Sequence, residues 1–401
     1  MPSSDQRKVS DVAFPSDLRV AVVGAGIVGV STAWFLARAG VDVRIVEAHA
    51  PVAAATGAAD GAVSVASKRP GPMMQAALAG IRLYRELAES GVLDGLYLTR
   101  STFLVAADRA EATVLEGHAA ALASVGVTVD PISAARLPIV APALSDRARA
   151  AIEVRGEGHA IGYDIVRRLV HTGGLRIDRD RRVTGLRRAP STGRLLGLDT
   201  DRGPVDADVV VIAAGGGSAA LLGLGDVLRP RRGQLLVTER APALARGLPG
   251  AIMSARYLLS KASATGGPPV SPRGYGLVID PLRTGQFLVG GTRENDAERP
   301  VADLEAIAHV LADAVALVPG LADVRLLRSF AGLRTAVVDG LPLVGPVGSG
   351  DVRVATGFEG DGICLGPLMG RATADAILGR PSEIDLAPFD PARFTGRMAA
   401  A

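Results

Sequence analysis

The chain has 401 residues, 48% hydrophobic and 21% charged, a balance that excludes long disorder and points to two or three lobes around sizeable cores. Its 44 basic and 41 acidic residues leave a formal charge of only +3, and 3% of residues are aromatic, so the positive field and stacking platforms of a nucleic-acid surface are missing. A single cysteine, Cys364, excludes an internal disulfide and any cysteine-built zinc or iron–sulfur centre, and makes a reducing cytoplasm the expected location.

Residues 1–17 are polar and carry no apolar run behind a basic start, so they are expected to be disordered and to hold neither a secretory signal nor an anchor. Leu18 to Val23 then reads as a strand entering a glycine turn, Ile27 to Ala39 as a helix ended by Gly40, and Val41 to Glu47 as a second strand. Strand, helix and strand in that order form a βαβ unit, which needs parallel strands and a sheet covered on both faces. Small residues follow through Ala66, then the Pro- and Gly-punctuated Lys68 to Pro72, which together suggest a loop over a site, and a helix from Met73 to Ser90.

Thr102 to Ala107 reads as a strand and Glu111 to Ser124 as a helix, followed by an irregular Pro-containing stretch to about Val154. Gly162 to Thr172 is expected to be helical, and Arg176 to Leu186, Leu195 to Thr200 and Val205 to Ala213 to be strands. The apolar run Ala207 to Leu224 contains Gly215, Gly216 and Gly217 in succession and suits a buried strand and turn, so no transmembrane segment is expected. Peripheral attachment to the inner membrane is left open. Further strands are read at Gly233 to Thr238, Tyr257 to Lys261, Tyr275 to Asp280 and Gln286 to Gly290, then a helix from Val301 to Leu317. Asp351 to Ala355 reads as a last strand that feeds Gly357, Gly360 and Gly362, with a closing helix from about Gly366 to Leu378.

These elements describe an α/β chain in which a Rossmann-like nucleotide-binding domain is interleaved with an α+β substrate domain built on a mostly antiparallel sheet. The expected division gives residues 18–95, 155–235 and 326–401 to the nucleotide-binding domain and residues 96–154 and 236–325 to the substrate domain.

The chemistry is most legible at Gly24-Ala25-Gly26-Ile27-Val28-Gly29, a G-x-G-x-x-G pattern lying between a strand and a helix. Gly24 permits the tight turn, Gly26 lets backbone approach a pyrophosphate, and Gly29 allows helix to pack on strand. The backbone N–H groups of Ile27 and Val28 at the helix start face the anion. Glu47, eighteen residues beyond Gly29, is placed to accept hydrogen bonds from ribose hydroxyls, with Ala48 and His49 beside it on the adenosine side. The five histidines are scattered without metal-ligand spacing, and no Ser/His/Asp order is defensible, so metal binding and hydrolysis are not expected.

Beyond this fingerprint, the chain resembles the FAD-dependent D-amino acid oxidase superfamily, in the branch of glycine oxidase, D-amino acid dehydrogenase and the flavin subunits of opine or D-hydroxyproline dehydrogenases. The resemblance spans about Leu18 to Leu378. It is carried by Ala207-Asp208-Val209-Val210-Val211-Ile212-Ala213-Ala214-Gly215, Arg232-Gly233-Gln234, Gly332-Leu333-Arg334, Asp339-Gly340-Leu341-Pro342 and Gly357-Phe358-Glu359-Gly360-Asp361-Gly362-Ile363. It implies an extended FAD with its adenosine over the βαβ unit and its ring at the domain interface. Thr56 and Gly61 are then candidates to contact the pyrophosphate and flavin, Val183 the adenine, Ala214 and Gly215 the dinucleotide, and Gly360, Gly362 and Ile363 the flavin pyrimidine. Related enzymes with covalent flavin carry their cysteine at a different motif position, so noncovalent FAD is expected.

The resemblance also implies that Arg334 grips a substrate carboxylate, as a planar guanidinium can do with two parallel hydrogen bonds. Thr335 stands where many relatives have proline and leaves the turn there less constrained. Tyr257 and Tyr275 are candidates for a phenolic hydrogen bond or for closing the pocket. Lys68, one of three lysines, resembles a Lys-Pro-Gly-Pro segment of the opine oxidase-like branch and is a candidate positive charge near flavin or substrate, with a solvent-facing loop as the alternative. The implied reaction oxidises the C–N bond of a small carboxylate-bearing amine, such as a D-amino acid, an N-substituted glycine or an opine. Hydride transfer to flavin N5 leaves an imine that water hydrolyses. A flavin 2-hydroxy acid dehydrogenase is the alternative enzyme, and a flavin subunit passing electrons to partner subunits or an acceptor protein is the alternative arrangement.

Overall fold

The computed structural model describes residues 18–263 and 273–397; the disorder expected of residues 1–17 lies outside the described residues. The apolar run Arg19–Val23 (β1) pairs in parallel with Asp42–Val46 (β2) on one side and with Val209–Ile212 on the other. Between β1 and β2 runs the helix Ile27–Arg38 (α1), ended near Gly40, whose φ of +84° suits glycine. Nine of the twelve α1 residues are buried, because α1 is covered by Gly162–Thr172 as well as by the carboxyl-terminal helix Gly362–Ile377. The second contact depends on small residues: a Cβ at Gly370 would lie 2.6 Å from the Ser31 Cβ.

The first sheet has six strands, in the order Leu343–Val347, Val352–Thr356, Val209–Ile212, β1, β2 and Arg176–Asp178. Only its first pairing is antiparallel. A three-stranded antiparallel sheet, Val205–Asp206, Leu195–Thr200 and Val183–Arg188, contributes Val205, Leu195 and Leu198 to the same core as Ala21, Val23 and Ile212.

The other large layer is a ten-stranded sheet. Its longest ladder pairs Leu228–Thr238 with Leu326–Val337, and another pairs Tyr97–Ala106 with Ala150–Ala160. The pairings are antiparallel except that of Ala251–Ser254 with Tyr97–Ala106. Leu304–Leu317 packs on it with Asp303 as N-cap, accepting from the Ala306 N–H at 3.1 Å. The chain thus has the expected α/β architecture of a nucleotide-binding fold joined to a second, mostly antiparallel sheet. The expected divisions after residues 154 and 235 fall inside two strands of this large sheet, Ala150–Ala160 and Leu228–Thr238, and Leu326–Val337 belongs to it as well.

Three expected strands differ. Tyr257 to Lys261 lies in the helix Arg256–Ser263: the preceding strand Ala251–Ser254 already has a neighbour on each side, so the chain finds no edge to pair with and turns back over the sheet. Arg176 to Leu186 is broken around Asp180, at φ +53°, into pieces that join different sheets. Val205 to Ala213 is divided in the same way between Val205–Asp206 and Val209–Ile212.

Candidate active site

The turn between β1 and α1 is closed by backbone. Gly24 has φ +106°, and a Cβ there would lie 2.5 Å from the Ala213 carbonyl oxygen; a Cβ at Gly29 would lie 2.1 Å from the Gly24 oxygen. At Gly26 the nearest atom to such a Cβ is the Thr56 Oγ1 at 3.2 Å, so the loop surface above it is held open by glycine. The Glu47 carboxylate fixes the turn from the tip of β2, accepting from the Ala25 N–H and the His49 N–H, each at 2.8 Å. Thr56 Oγ1 accepts from the Ile27 N–H at 3.1 Å and ties the small-residue loop to the helix start. The first turn of α1 holds no acidic side chain and Gly26 gives no side-chain cap, which leaves a field favourable to an anion.

Gly215 and the carboxyl-terminal glycines approach from neighbouring strands. The Gly215 carbonyl accepts from Thr356 Oγ1 at 3.0 Å. Gly360, Gly362 and Ile363 lie at the start of Gly362–Ile377, whose first turn again holds no acidic residue, and Tyr84 Oη donates to the Ile363 carbonyl at 2.8 Å.

A recess of about 30 Å³ opens against the ten-stranded sheet, lined among others by Asp60, Tyr257, Asp280, Thr292, Arg293 and Arg334. Arg334 Nη1 donates to the Thr292 carbonyl at 3.0 Å. The guanidinium lies against Gly233, where a Cβ would be 2.2 Å from Nη1, so glycine between Arg232 and Gln234 makes room for it. Thr335 does not loosen the aim of Arg334. It pairs with Pro230 inside a continuous ladder, and its carbonyl accepts from the Glu359 N–H at 2.9 Å.

Three arginines surround one carboxylate. Arg231 and Arg293 each stand 3.3 Å from Glu359 Oε1, and Arg293 Nη1 donates to Tyr257 Oη at 3.4 Å. Burial alone would raise the Glu359 pKa, but Arg293, Arg334 and Arg231 outweigh it and hold the group down to about 2. On the opposite wall Asp280 is paired through both oxygens with Arg100. His159 Nε2 lies 2.9 Å from the Asp60 carbonyl, and burial lowers the pKa of this ring despite the nearby Asp280. Among the described residues no group of His, Cys, Asp or Glu could hold a metal ion.

A family model described as FAD dependent oxidoreductase matches residues 19–376. The chain belongs to this family. This FAD-dependent oxidoreductase is 30% identical over 390 residues to a glycine oxidase of Pseudomonas aeruginosa, covering 93% of this chain and 98% of that one. The solved glycine oxidase from Geobacillus kaustophilus superposes with a TM-score of 0.80 at 24% identity, covering 93% of this chain and 98% of that chain. The solved iminodiacetate oxidase from Chelativorans sp. BNC1 gives 0.76 at 26% identity, covering 93% and 99%. The glycine cradle, which any Cβ would fill, and the start of α1, without acidic residues, fit the diphosphate of FAD.

In this flavoprotein the residues expected from sequence fall into three groups. Gly24, Gly26, Ile27, Val28, Gly29, Glu47 and Thr56 meet at the cradle, with Ala214 and Gly215 following the Ala213 carbonyl that closes it. Ala48 and His49 continue from it, and His49 Nε2 stands 3.3 Å from Arg182 Nη2, one residue before Val183. Gly61, at φ +91°, is pressed against His159, where a Cβ would be 2.6 Å from Nε2. Arg334 and Tyr257 line the recess.

Tyr275 is a correction: it is not part of the recess lining but stacks on His309 at 3.8 Å between ring centroids, on the side of the sheet covered by Leu304–Leu317. Lys68 faces neither solvent nor the recess. Its side chain is 5% exposed, and Nζ donates to Asp361 Oδ1 at 2.6 Å and to the Ser64 carbonyl at 2.8 Å. The loop beneath it is pinned by buried Glu157, which accepts from the Val65 and Ala66 N–H groups. Sequence reading missed Asp60, Arg231, Arg293, Glu359 and the Arg100–Asp280 pair. Glu359 stood inside a quoted motif, and Arg293 closely follows a strand end and two glycines, but no local signal joins them.

Among the described residues no helix is long and apolar enough to cross a membrane.

Proposed function

We propose that this protein oxidises the C–N bond of a small carboxylate-bearing amine: a D-amino acid, an N-substituted glycine or an opine. Arg334 carries the reading. Its guanidinium is seated over Gly233, beside Gly360 of the carboxyl-terminal glycine segment, and borders the recess, so a carboxylate bound there lies next to that segment. Gly24, Gly26, Ile27, Val28 and Gly29 would hold the diphosphate. Glu47, Ala48, His49 and Val183 would hold the adenosine, and Thr56, Gly61, Ala214, Gly215, Gly360, Gly362 and Ile363 the rest of the cofactor. Each Glu47 oxygen already accepts one backbone N–H and keeps lone-pair capacity for a ribose hydroxyl.

FAD held there would supply the two-electron oxidant for removal of the substrate α-hydrogen as hydride. The chain positions: Arg334 fixes the carboxylate and Tyr257 borders the amine end of the recess. The substrate loses hydride from carbon and a proton from nitrogen, and the imine left behind takes up water to give an oxo acid and an amine. FAD is held without a covalent bond: Cys364 is buried, with Sγ turned to the Ala77 carbonyl at 3.8 Å, and burial pushes its thiol up to about 11.

Anaerobic mixing of the holoenzyme with D-amino acids, sarcosine, opines and 2-hydroxy acids tests the reading. Bleaching of the flavin by at least one amine is expected. Bleaching by a 2-hydroxy acid and by none of the amines would reject it.

A further inference from the structure

We propose that a second cavity, separate from the recess, binds a small aliphatic α-amino acid as its zwitterion, with Arg353 taking the carboxylate and Asp390 the ammonium group. The cavity lies at the edge of the six-stranded sheet. It is bounded by the strands Leu343–Val347 and Val352–Thr356, the helix Gly362–Ile377 and the carboxyl-terminal turn Ala387–Phe389. Among the described residues none lines both this cavity and the recess.

The strand pattern aims the arginine. Val352 and Val354 point into the core on one face of the sheet, so by alternation Arg353 points to the other face, the one the helix covers. Pro346 stands opposite it in the ladder, on the outermost strand. A Cβ at Gly345 would lie 2.7 Å from the Pro391 Cδ, so glycine lets the carboxyl-terminal segment cross the sheet edge at close range and wall the cavity. Val344, Pro346, Ala376 and Leu386 make the rest of the lining apolar.

The charges single the cavity out. Among the described residues neither Arg353 nor Asp390 has an ion-pair partner, and although both line the cavity they do not pair with each other. Arg353 donates from Nη2 to the Ala376 carbonyl at 3.2 Å, which occupies one of the five N–H donors of a guanidinium. Burial lowers its pKa, and no neighbouring charge opposes that shift. Asp390 Oδ1 accepts from the Ala392 N–H at 2.8 Å, which leaves the other oxygen for a ligand. Thr373, also on the lining, already donates to the Met369 carbonyl at 2.7 Å, so recognition falls to the two charged groups.

A partly buried cation without counter-charge is unfavourable, and a carboxylate would relieve it through two parallel hydrogen bonds. A simple carboxylic acid would also meet the repulsion of Asp390, and a simple amine that of Arg353. A zwitterion offers each group its opposite and adds no net charge. The volume of about 160 Å³ equals about five water molecules at about 30 Å³ each. That space admits an amino acid with a short side chain against the apolar walls.

The test uses 2-aminoisobutyrate, whose α-carbon bears no hydrogen and so cannot give up hydride to flavin. Trimethylacetate and 2-aminoisobutyramide are isosteres that lack its ammonium group and its carboxylate respectively. Each is titrated by calorimetry into the holoenzyme, as wild type and as Arg353→Gln, Asp390→Asn and Arg334→Ala. 2-Aminoisobutyrate should fill a saturable site that persists in Arg334→Ala and weakens about 10- to 100-fold in Arg353→Gln, the worth of one charge-assisted hydrogen-bonded contact. Both isosteres should bind that site at least about 10-fold more weakly in the wild type. Asp390→Asn keeps an oxygen for the Ala392 N–H while removing the charge, and should bring 2-aminoisobutyrate down to the level of trimethylacetate. If Arg353→Gln does not fold, Asp390→Asn and the wild-type comparison of the three compounds decide.

Absence of saturable binding in the wild type, or binding lost in Arg334→Ala and kept in Arg353→Gln, would overturn the proposal. Trimethylacetate binding as tightly as 2-aminoisobutyrate would overturn it too, by reducing the cavity to a site for simple anions. None of these outcomes touches the amine-oxidising reading, which rests on the recess.

Discussion

Replacing Lys68 by methionine tests how the carboxyl-terminal glycine segment is held. The lysine Nζ is 2.6 Å from Asp361, the two side chains are 5% and 19% exposed, and Asp361 is the N-cap residue of Gly362–Ile377, lying between Gly360 and Gly362. Methionine preserves the length of the apolar stem but leaves the Asp361 carboxylate without its nearest cation. Removing one partner of a buried pair costs about 3–5 kcal/mol, whereas replacing both is far milder. Lys68→Met should therefore lose about 3 kcal/mol or more in urea unfolding, and Lys68→Met/Asp361→Asn should recover part of that loss. Flavin affinity should follow the same order, because the segment that shifts is the one proposed to meet the ring. Burial would lower the lysine pKa, but Asp361 outweighs it and the net shift is upward. The pair's contribution is thus fully present below the free-lysine pKa of about 10.4 and fades only as pH rises through the higher folded value. Additive losses in the double variant, or flavin affinity unmoved by Lys68→Met, would refute the reasoning.

Gly24→Ala should yield protein with little or no flavin absorbance, since φ is +106° and the new Cβ would sit 2.5 Å from a backbone oxygen; a wild-type flavin-to-protein absorbance ratio would contradict this. Arg334→Ala should lower kcat/KM for carboxylate substrates about 10- to 100-fold and affect their carboxamide analogues much less, as steady-state kinetics would show. Glu359, held down from 4.5 to about 2, stabilises the fold above pH 4.5 and loses that contribution as pH falls toward 2. The effect is about 3 kcal/mol, so Glu359→Gln should be less stable at neutral pH and show a shallower acid limb in unfolding titrations. Acid precipitation should release the yellow cofactor into the supernatant, where flavin retained by the pellet would contradict a noncovalent FAD.

What could be read in the sequence was whatever is encoded by neighbours along the chain. The βαβ unit, its three glycines and the helix Gly162–Thr172 all rest on local periodicity and turn chemistry, and they stand where that chemistry puts them. The recess is different in kind. Glu359 meets Arg231 and Arg293 only because separate segments converge there, and no spacing rule connects such residues. Tyr257 and Tyr275 looked alike because both stood in apolar runs. The helix Arg256–Ser263 carries one to the recess, while the other stacks under Leu304–Leu317. Lys68 could not be told from a solvent-facing loop lysine, because its partner is 293 positions away.

The closure of α1 by Gly362–Ile377, and the seating of Val209–Ile212 between β1 and Val352–Thr356, also bear on biosynthesis. β1 and α1 leave the ribosome about 300 residues before the strand Val352–Thr356 and the helix Gly362–Ile377 that complete their sheet and cover them. During translation the glycine cradle therefore waits, half-walled, for those later elements to emerge. A chain cut short before Val352 would lack both the strand and the helix that shut the cradle.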